Sequence, residues 1–189
     1  MIYNTKMNIN KIKTIYDSVW KAPQNQGLFV SVKDQMGLVD RKGNVLIQPK
    51  YDSLKYLGNN LFSYQLNKKL GIITSNGIKK SKPIYDNILP FENNLAIVGI
   101  NDKFGYIDIL CNIVCPIIYH DIKPFKNGLS RVRLESKFGY IDQQFKIVIQ
   151  FKYEVAHNFI NEYAIVAKEF FNDNSFDFIN KYGEEIIPL

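Results

Sequence analysis

Between residues 128 and 153 apolar and polar positions alternate. Leu129-Ser-Arg-Val-Arg-Leu134 has the period of two that marks a half-buried strand. A short polar turn, Glu135-Ser136-Lys137, leads into Phe138-Gly-Tyr-Ile141, an aromatic and β-branched strand. Asp142 opens a second turn, and Ile147-Val-Ile149 makes a third strand. The pattern predicts three short strands joined as a meander, followed by a connection of about 10 residues.

The pattern returns at a fixed step. Met36-Gly37-Leu38-Val39-Asp40 recurs as Leu70-Gly71-Ile72-Ile73-Thr74, Phe104-Gly105-Tyr106-Ile107-Asp108 and Phe138-Gly139-Tyr140-Ile141-Asp142, each 34 residues on. A fifth copy, Phe176-Asp177-Phe178-Ile179-Asn180, follows after 38, which places an insertion near Asn172 to Ser175. Tyr51, Tyr85, Tyr119 and Tyr153 form a second column, and Leu61, Leu95, Leu129 and Tyr163 a third. An acid follows the Tyr at Asp52, Asp86 and Glu154, whereas His120 breaks that column. Tyr16-Asp17-Ser18 is a worn N-terminal copy, with Asn4, Asn8, Asn10 and Lys11 where other copies are apolar. The columns divide one β-repeat domain, 1–189, into a degenerate copy at 1–35, full copies at 36–69, 70–103, 104–137 and 138–175, and a partial copy at 176–189.

The turn between the second and third strands reads Asp40-Arg-Lys-Gly43, Thr74-Ser-Asn-Gly77 and Asn180-Lys-Tyr-Gly183. The first residue accepts backbone N–H groups and the Gly takes a positive φ, which makes a type I turn closed by a bulge. Cys111 and Phe145 occupy the Gly column in the other two copies. A side chain in that conformation costs roughly 1–2 kcal/mol. Replacing either with Gly is therefore expected to raise the melting temperature.

A single meander is marginal alone, so neighbouring repeats must stack. The expected fold is all-β: tandem antiparallel meanders of 34 residues, stacked as an open superhelix and capped by the worn first copy. A closed propeller-like ring is the alternative. There the final copy supplies only second and third strands, and Gly27 to Lys33 supplies the missing first one.

The residue pattern resembles the WG (KWG) repeat family. Its units run Lys-Trp/Phe-Gly-Tyr/Leu-Ile-Asp, a Gly turn, a Val-Ile-Pro stretch, Tyr-Asp, Phe and a Gly-Leu-Ala strand. Lys103-Phe-Gly-Tyr-Ile-Asp108 and Lys137-Phe-Gly-Tyr-Ile-Asp142 carry the first half, and Asp40-Arg-Lys-Gly-Asn-Val-Leu-Ile-Gln-Pro-Lys-Tyr-Asp52 the second. Met, Leu, Phe, Phe and Phe stand where the family has Trp, and the lone Trp20 lies in another column, so this is a divergent member. Proteins of that family are mostly bacterial, and the resemblance implies a repeat scaffold and no reaction.

Composition narrows the function classes. The chain has 189 residues, 46% of them hydrophobic, so it can bury a core. No apolar run is long enough to span a bilayer as a helix, and the start, MIYNTKMNINKIK, has no apolar leader segment. Two cysteines make no disulfide framework, and the expected compartment is the cytoplasm. The net charge of +6 comes with only three arginines, Arg41, Arg131 and Arg133, among 24 basic residues. Twenty Asn and 26 Ile accompany the lysines, a bias that AT-rich coding would produce. Base and phosphate recognition favours Arg, so nucleic acid is not the expected partner.

No converging catalytic set emerges. His120 and His157 lie near the Tyr columns, where each is expected to serve a turn or loop. Asp121 and Glu154 beside them offer too few ligands for a shared metal. Cys111 and Cys115 have no second Cys or His pair for zinc and no neighbour that activates a thiol. Asp40, Asp108 and Asp142 recur once per repeat, as turn formers do. The expectation is no enzyme, no cofactor, no metal and no small-molecule substrate. A repeat scaffold that binds another protein fits best, with contacts on the Tyr-to-Leu connections at Ser53 to Asn60, Asn87 to Asn94, Ile122 to Gly128 and Val155 to Glu162, joined by the insertion at 172–175. The alternative is a carbohydrate- or cell-wall-binding module that uses Phe104, Tyr106, Phe138, Tyr140, Phe176 and Phe178 as a stacking ladder.

Overall fold

The computed structural model describes residues 9–169 and 176–187. Asn4, Asn8 and the insertion at 172–175 lie outside the described residues. The chain divides into two compact units. One runs to Asn94 and includes Ile109–Cys111, and the other holds Leu95–Asp108 and Asn112 onward.

The first unit opens with one helical turn, α1 (Ile9–Ile12), whose Ile12 is buried while Asn10 and Lys11 are exposed. A four-stranded antiparallel sheet follows in the order β1 (Ser18–Lys21), β2 (Leu28–Val32), β3 (Gln35–Val39) and β4 (Val45–Tyr51). The second sheet is β5 (Ser53–Gly58), β6 (Leu61–Leu66) and β7 (Lys69–Thr74). Residues 78–85 occupy the place of its outer strand but form no regular ladder with β7, which they meet through the bridges Leu70↔Tyr85 and Ile73↔Lys79 and a few further hydrogen bonds. A two-residue strand, β8 (Asn87–Ile88), comes next.

In the second unit β9 (Leu95–Ile100), β10 (Lys103–Asp108) and β11 (Ile113–Tyr119) form an antiparallel meander. Two four-stranded sheets follow. One is β12 (Asp121–Ile122), β13 (Leu129–Leu134), β14 (Lys137–Asp142) and β15 (Ile147–Tyr153); the other is β16 (Val155–Ala156), β17 (Tyr163–Ala167), β18 (Phe176–Asn180) and β19 (Glu185–Ile186). No sheet among the described residues closes into a barrel. No helix among them is long and apolar enough to cross a membrane.

The fold is all-β and built of tandem antiparallel sheets, but the structural unit is offset from the sequence repeat. Three strands and a long connection were expected. Instead the connection carries a strand of its own: β5, β12 and β16 each pair with the first strand of the following meander. A sheet thus begins just after one Tyr of the recurring column and ends on the next, as from Asp121 to Tyr153. The strand missing from the final copy is supplied by β17, which pairs with β18 along its length. Leu28–Val32 pairs with β3 instead. The assignment of 27–33 to the final sheet is therefore wrong, because β17 already saturates that edge.

Turn chemistry sets the hairpins. Lys33-Asp34, Asn67-Lys68 and Asn101-Asp102 hold left-handed φ at both positions, as two-residue type I′ turns require. Between the inner strands the outer strand bulges: Phe104 pairs with Tyr119 but Tyr106 with Cys115, so two residues oppose four. The bulge brings the outer backbone onto the recurring Gly. A Cβ on Gly105 would lie 2.5 Å from the Cys115 carbonyl oxygen, and one on Gly139 would lie 2.6 Å from that of Ile149. At Gly37, Gly105 and Gly139 the motif Gly is a clearance for that backbone, and at Gly71 for the Tyr64 ring.

Three of the cores each draw on two successive sheets, while a fourth packs Ile12 of α1 on Leu28, Val30 and Val39 of the first sheet. Tyr140, Ile149 and Tyr153 pack with Ala156, Val166 and Ile179 of the next sheet. In the first unit Leu38, Ile47 and Tyr51 pack with Leu54, Phe62 and Ile73. Stacking supplies the partner face that a lone meander lacks.

Candidate functional site

The polar columns are explained by geometry. At the second turn Asp40 accepts N–H groups of Lys42 and Asn44 on one carboxylate oxygen at 2.7 and 2.9 Å. Asp142 does the same for Gln144 and Lys146, and Asn180 for Tyr182 and Glu184. The slight burial of Asp40 raises its pKa, but hydrogen bonds from the Asn44 side chain and from the Asn44 and Lys42 N–H groups outweigh that and hold the carboxyl below its ordinary value. Cys111 (φ 69°) and Phe145 (φ 62°) stand in the left-handed conformation, as the Gly column predicts.

A second relationship joins positions 17 apart. Lys69 pairs with Asp86, Lys137 with Glu154 and Lys168 with Glu185. In the first two pairs the Lys two places before the motif Gly meets the acid after the Tyr, whereas Lys168 and Glu185 stand outside those columns. Where that acid is replaced, Lys103 contacts the His120 ring, and His120 Nδ1 accepts the Glu135 N–H at 2.9 Å. Buried tyrosines make a third. The Tyr106 hydroxyl donates to the Lys123 carbonyl and the Tyr140 hydroxyl to the His157 carbonyl, both at 2.7 Å. Burial raises the Tyr140 pKa, with the nearby Arg131 charge opposing it.

The family described as WG containing repeat matches residues 36–69, 71–104, 104–138 and 138–169, well over half of the chain. The chain belongs to the WG-repeat family. No curated protein matches the sequence. Among solved structures it is similar to a eukaryotic initiation factor at 9% identity and a TM-score of 0.50, over 84% of this chain and 50% of that one. It also matches Kluyveromyces lactis Hsv2p (13% identity, TM-score 0.42, 89% and 62% covered) and the Neurospora crassa Pan2 WD40 domain (12%, 0.38, 92% and 65%). The chain thus spans between half and two thirds of those proteins, and the likeness concerns fold alone. A four-stranded antiparallel meander is also the unit from which β-propeller blades are made.

Within the WG repeats the candidate residues are placed as follows. His120 stands between β11 and β12, and His157 is exposed, its backbone N–H donating to Ile165. Asp121 is engaged by Arg131 at 2.8 Å and Lys123 at 3.0 Å, and Glu154 by Lys137. Among the described residues no group of three His, Cys, Asp or Glu converges. Cys115 is fully buried on the outer strand of its sheet, and burial pushes its thiol up to about 11, against a lowering hydrogen bond at the Tyr106 backbone. Cys111 sits in the turn, partly exposed.

The aromatic ladder is not a solvent face. Tyr106 and Tyr140 are buried and Phe104 and Phe138 at most partly exposed, because inter-sheet packing claims them, and the partly exposed Phe178 packs on Tyr163 of its own sheet. Phe176 alone of the six is exposed, at 55%. The Tyr-to-Leu connections are also less open than expected. They hold the edge strands, and Leu54, Leu57, Ile88, Ile122, Ala156 and Phe159 are core residues. Their tips face solvent, at Asn59-Asn60, Glu92-Asn93-Asn94, Lys126-Asn127-Gly128 and Ile160-Asn161-Glu162, along with scattered residues such as Lys55 and His157. The step-17 pairs and the tyrosine latches were missed, although both spacings are present in the sequence as fixed distances between columns.

Proposed function

We propose that this WG-repeat chain is a non-enzymatic scaffold that binds another protein. The observation that carries this is the structural use of the recurring polar residues. The acids cap turns or pair with lysines, and the tyrosine hydroxyls hold backbone carbonyls of the next sheet. What varies from copy to copy is exposed. The turn tips share an Asn held left-handed, at Asn59, Asn93, Asn127 and Asn161, while the residue before it changes from Gly to Glu, Lys or Ile. Repeat arrays present such variable positions on a constant frame.

The test is affinity capture on the immobilised chain from its native host, followed by reconstitution with the purified captured protein. A stoichiometric complex that is lost when tips 92–94, 126–128 and 160–162 are replaced together is the expected result. Failure to reconstitute any stoichiometric complex overturns the reading.

A further inference from the structure

Charge is unevenly held along the chain. Through residue 94 there are fourteen Lys and Arg against six Asp and Glu, and from residue 95 on there are ten against twelve. The whole positive excess belongs to the first unit. Much of it converges where the second sheet lacks an outer strand. The strap over residues 78–85 carries Lys79, Lys80 and Lys82, all exposed, and β4 contributes the exposed Lys50.

The strap is fixed in place. Leu70 and Tyr85 exchange backbone hydrogen bonds of 2.7 and 3.1 Å, and the Lys80 N–H donates to the Ile72 carbonyl at 2.8 Å. The Ile72 N–H donates to Ser81 Oγ, and the Tyr64 hydroxyl to the Ser81 carbonyl, both at 2.9 Å. Ser81 stands in the column where Ile47, Cys115 and Ile149 are buried. The polar anchor thus replaces an apolar plug. Lys79 Nζ lies 5.2 Å from the Tyr64 ring centroid and 5.9 Å from that of Tyr51, and Lys50 Nζ lies 5.7 Å from the same Tyr51 ring. Two ammonium groups from adjacent sheets therefore share one buried aromatic. The step-17 lysines have acidic partners. None of the four lysines at the strap has an ion pair among the described residues. Guarding a sheet edge against pairing does not require them all, since Pro83 already stands in the strap.

We propose that the lysine strap, Lys79, Lys80 and Lys82 with Lys50, docks an acidic segment of a partner polypeptide. The proposal rests on the scaffold reading and names the chemistry of its partner. Unneutralised cations on a preorganised backbone attract carboxylates and speed encounter. Two features favour carboxylates over nucleic acid. The cluster has no Arg to fork onto phosphate or guanine. The rings beneath it, Tyr51 and Tyr64, are 2% and 0% exposed and offer no face for base stacking.

The test titrates a fluorescent twenty-residue polyglutamate with the full chain at 50 mM and 300 mM salt. The expected result is saturable binding that weakens at least tenfold at the higher salt. K79E/K80E/K82E and, independently, K50E should weaken it, the triple by at least tenfold. K79R/K80R/K82R should retain it, and K146E/K152E/K181E in the second unit should stay within threefold. Matching thermal melts and circular dichroism exclude misfolding, and K50E alters a different strand should the triple misfold. No saturable binding, or an equal loss in the second-unit variant, overturns the proposal. So does tighter, strap-dependent binding of a 20-base-pair DNA duplex, which would transfer the surface to nucleic acid. A captured partner held equally by wild type and the strap variant overturns this assignment while leaving the scaffold reading standing.

Discussion

The Tyr140 hydroxyl donates a 2.7 Å hydrogen bond to the His157 carbonyl, tying the middle strand of one sheet to the chain entering the next. Tyr106 makes the same bond to the Lys123 carbonyl, but that oxygen also accepts Ser130 Oγ at 2.6 Å. Removing the Tyr140 hydroxyl leaves a carbonyl without that donor, which costs about 1–2 kcal/mol. Tyr140→Phe is therefore expected to lower the midpoint of urea unfolding more than Tyr106→Phe, which keeps a donor on its carbonyl. Equal losses would mean that the second donor carries no weight.

The motif Gly is required by the approach of the outer strand. A Cβ on Gly105 would sit 2.5 Å from the Cys115 oxygen and 2.7 Å from the Pro116 oxygen, both backbone atoms that cannot swing away. Gly105→Ala and Gly139→Ala should each destabilise by about 3 kcal/mol, the upper part of the usual overpacking range. Thermal unfolding checks this, and a change below about 1 kcal/mol would show that the bulge relaxes.

The two exceptions in the turn Gly column separate. Cys111→Gly removes a left-handed side chain and should stabilise by about 1 kcal/mol, or about 2–4 °C in Tm for a chain of this size. Phe145→Gly was expected to do the same, but its ring packs 5.7 Å from Tyr106 and 6.1 Å from Phe125, centroid to centroid. Losing that packing outweighs the relieved strain, so Phe145→Gly should lower the melting temperature.

Asp40 gives a pH dependence with a definite sign. Its folded-state pKa is depressed, so its contribution is fully present above the unfolded value of about 4 and is lost as pH falls through the lowered folded value. Asp40→Asn preserves the acceptor geometry, as Asn180 does in its own turn. The variant should melt slightly below wild type at pH 7, and the gap should narrow as pH falls below about 4. A gap independent of pH would remove the charge from the explanation.

His120 interrupts the acid column opposite Lys103. His120→Asp restores the pair that Lys137 and Glu154 make one repeat later. A gain of about 0.5 kcal/mol at low salt is expected, vanishing near 1 M, as for exposed ion pairs. A gain that persists at high salt would point to packing instead.

Strand identity, hairpin turns and the repeat were legible along the chain because they depend on neighbours within a few residues. Leu129–Leu134 alternates as a strand must, and the Gly column forecast left-handed backbone at Cys111 and Phe145. The aromatic ladder was misjudged because periodicity shows that Tyr106 and Tyr140 share a face, not whether another sheet covers it.

Strand pairing lay beyond that local reach. Val155–Ala156 looks like connection, and it becomes a strand only because Val166 and Ala167 of the next meander lie opposite. The same holds for charge. Composition counted +6, and the run Lys79-Lys80-Ser81-Lys82 was visible all along. That Lys50 and Lys79 meet over Tyr51 follows from the seating of the second sheet against the first. Backbone preferences and turn chemistry are written residue by residue, so the chain declares its elements. Which faces are buried and which charges converge depends on contacts between residues far apart, and only the folded packing brings those together.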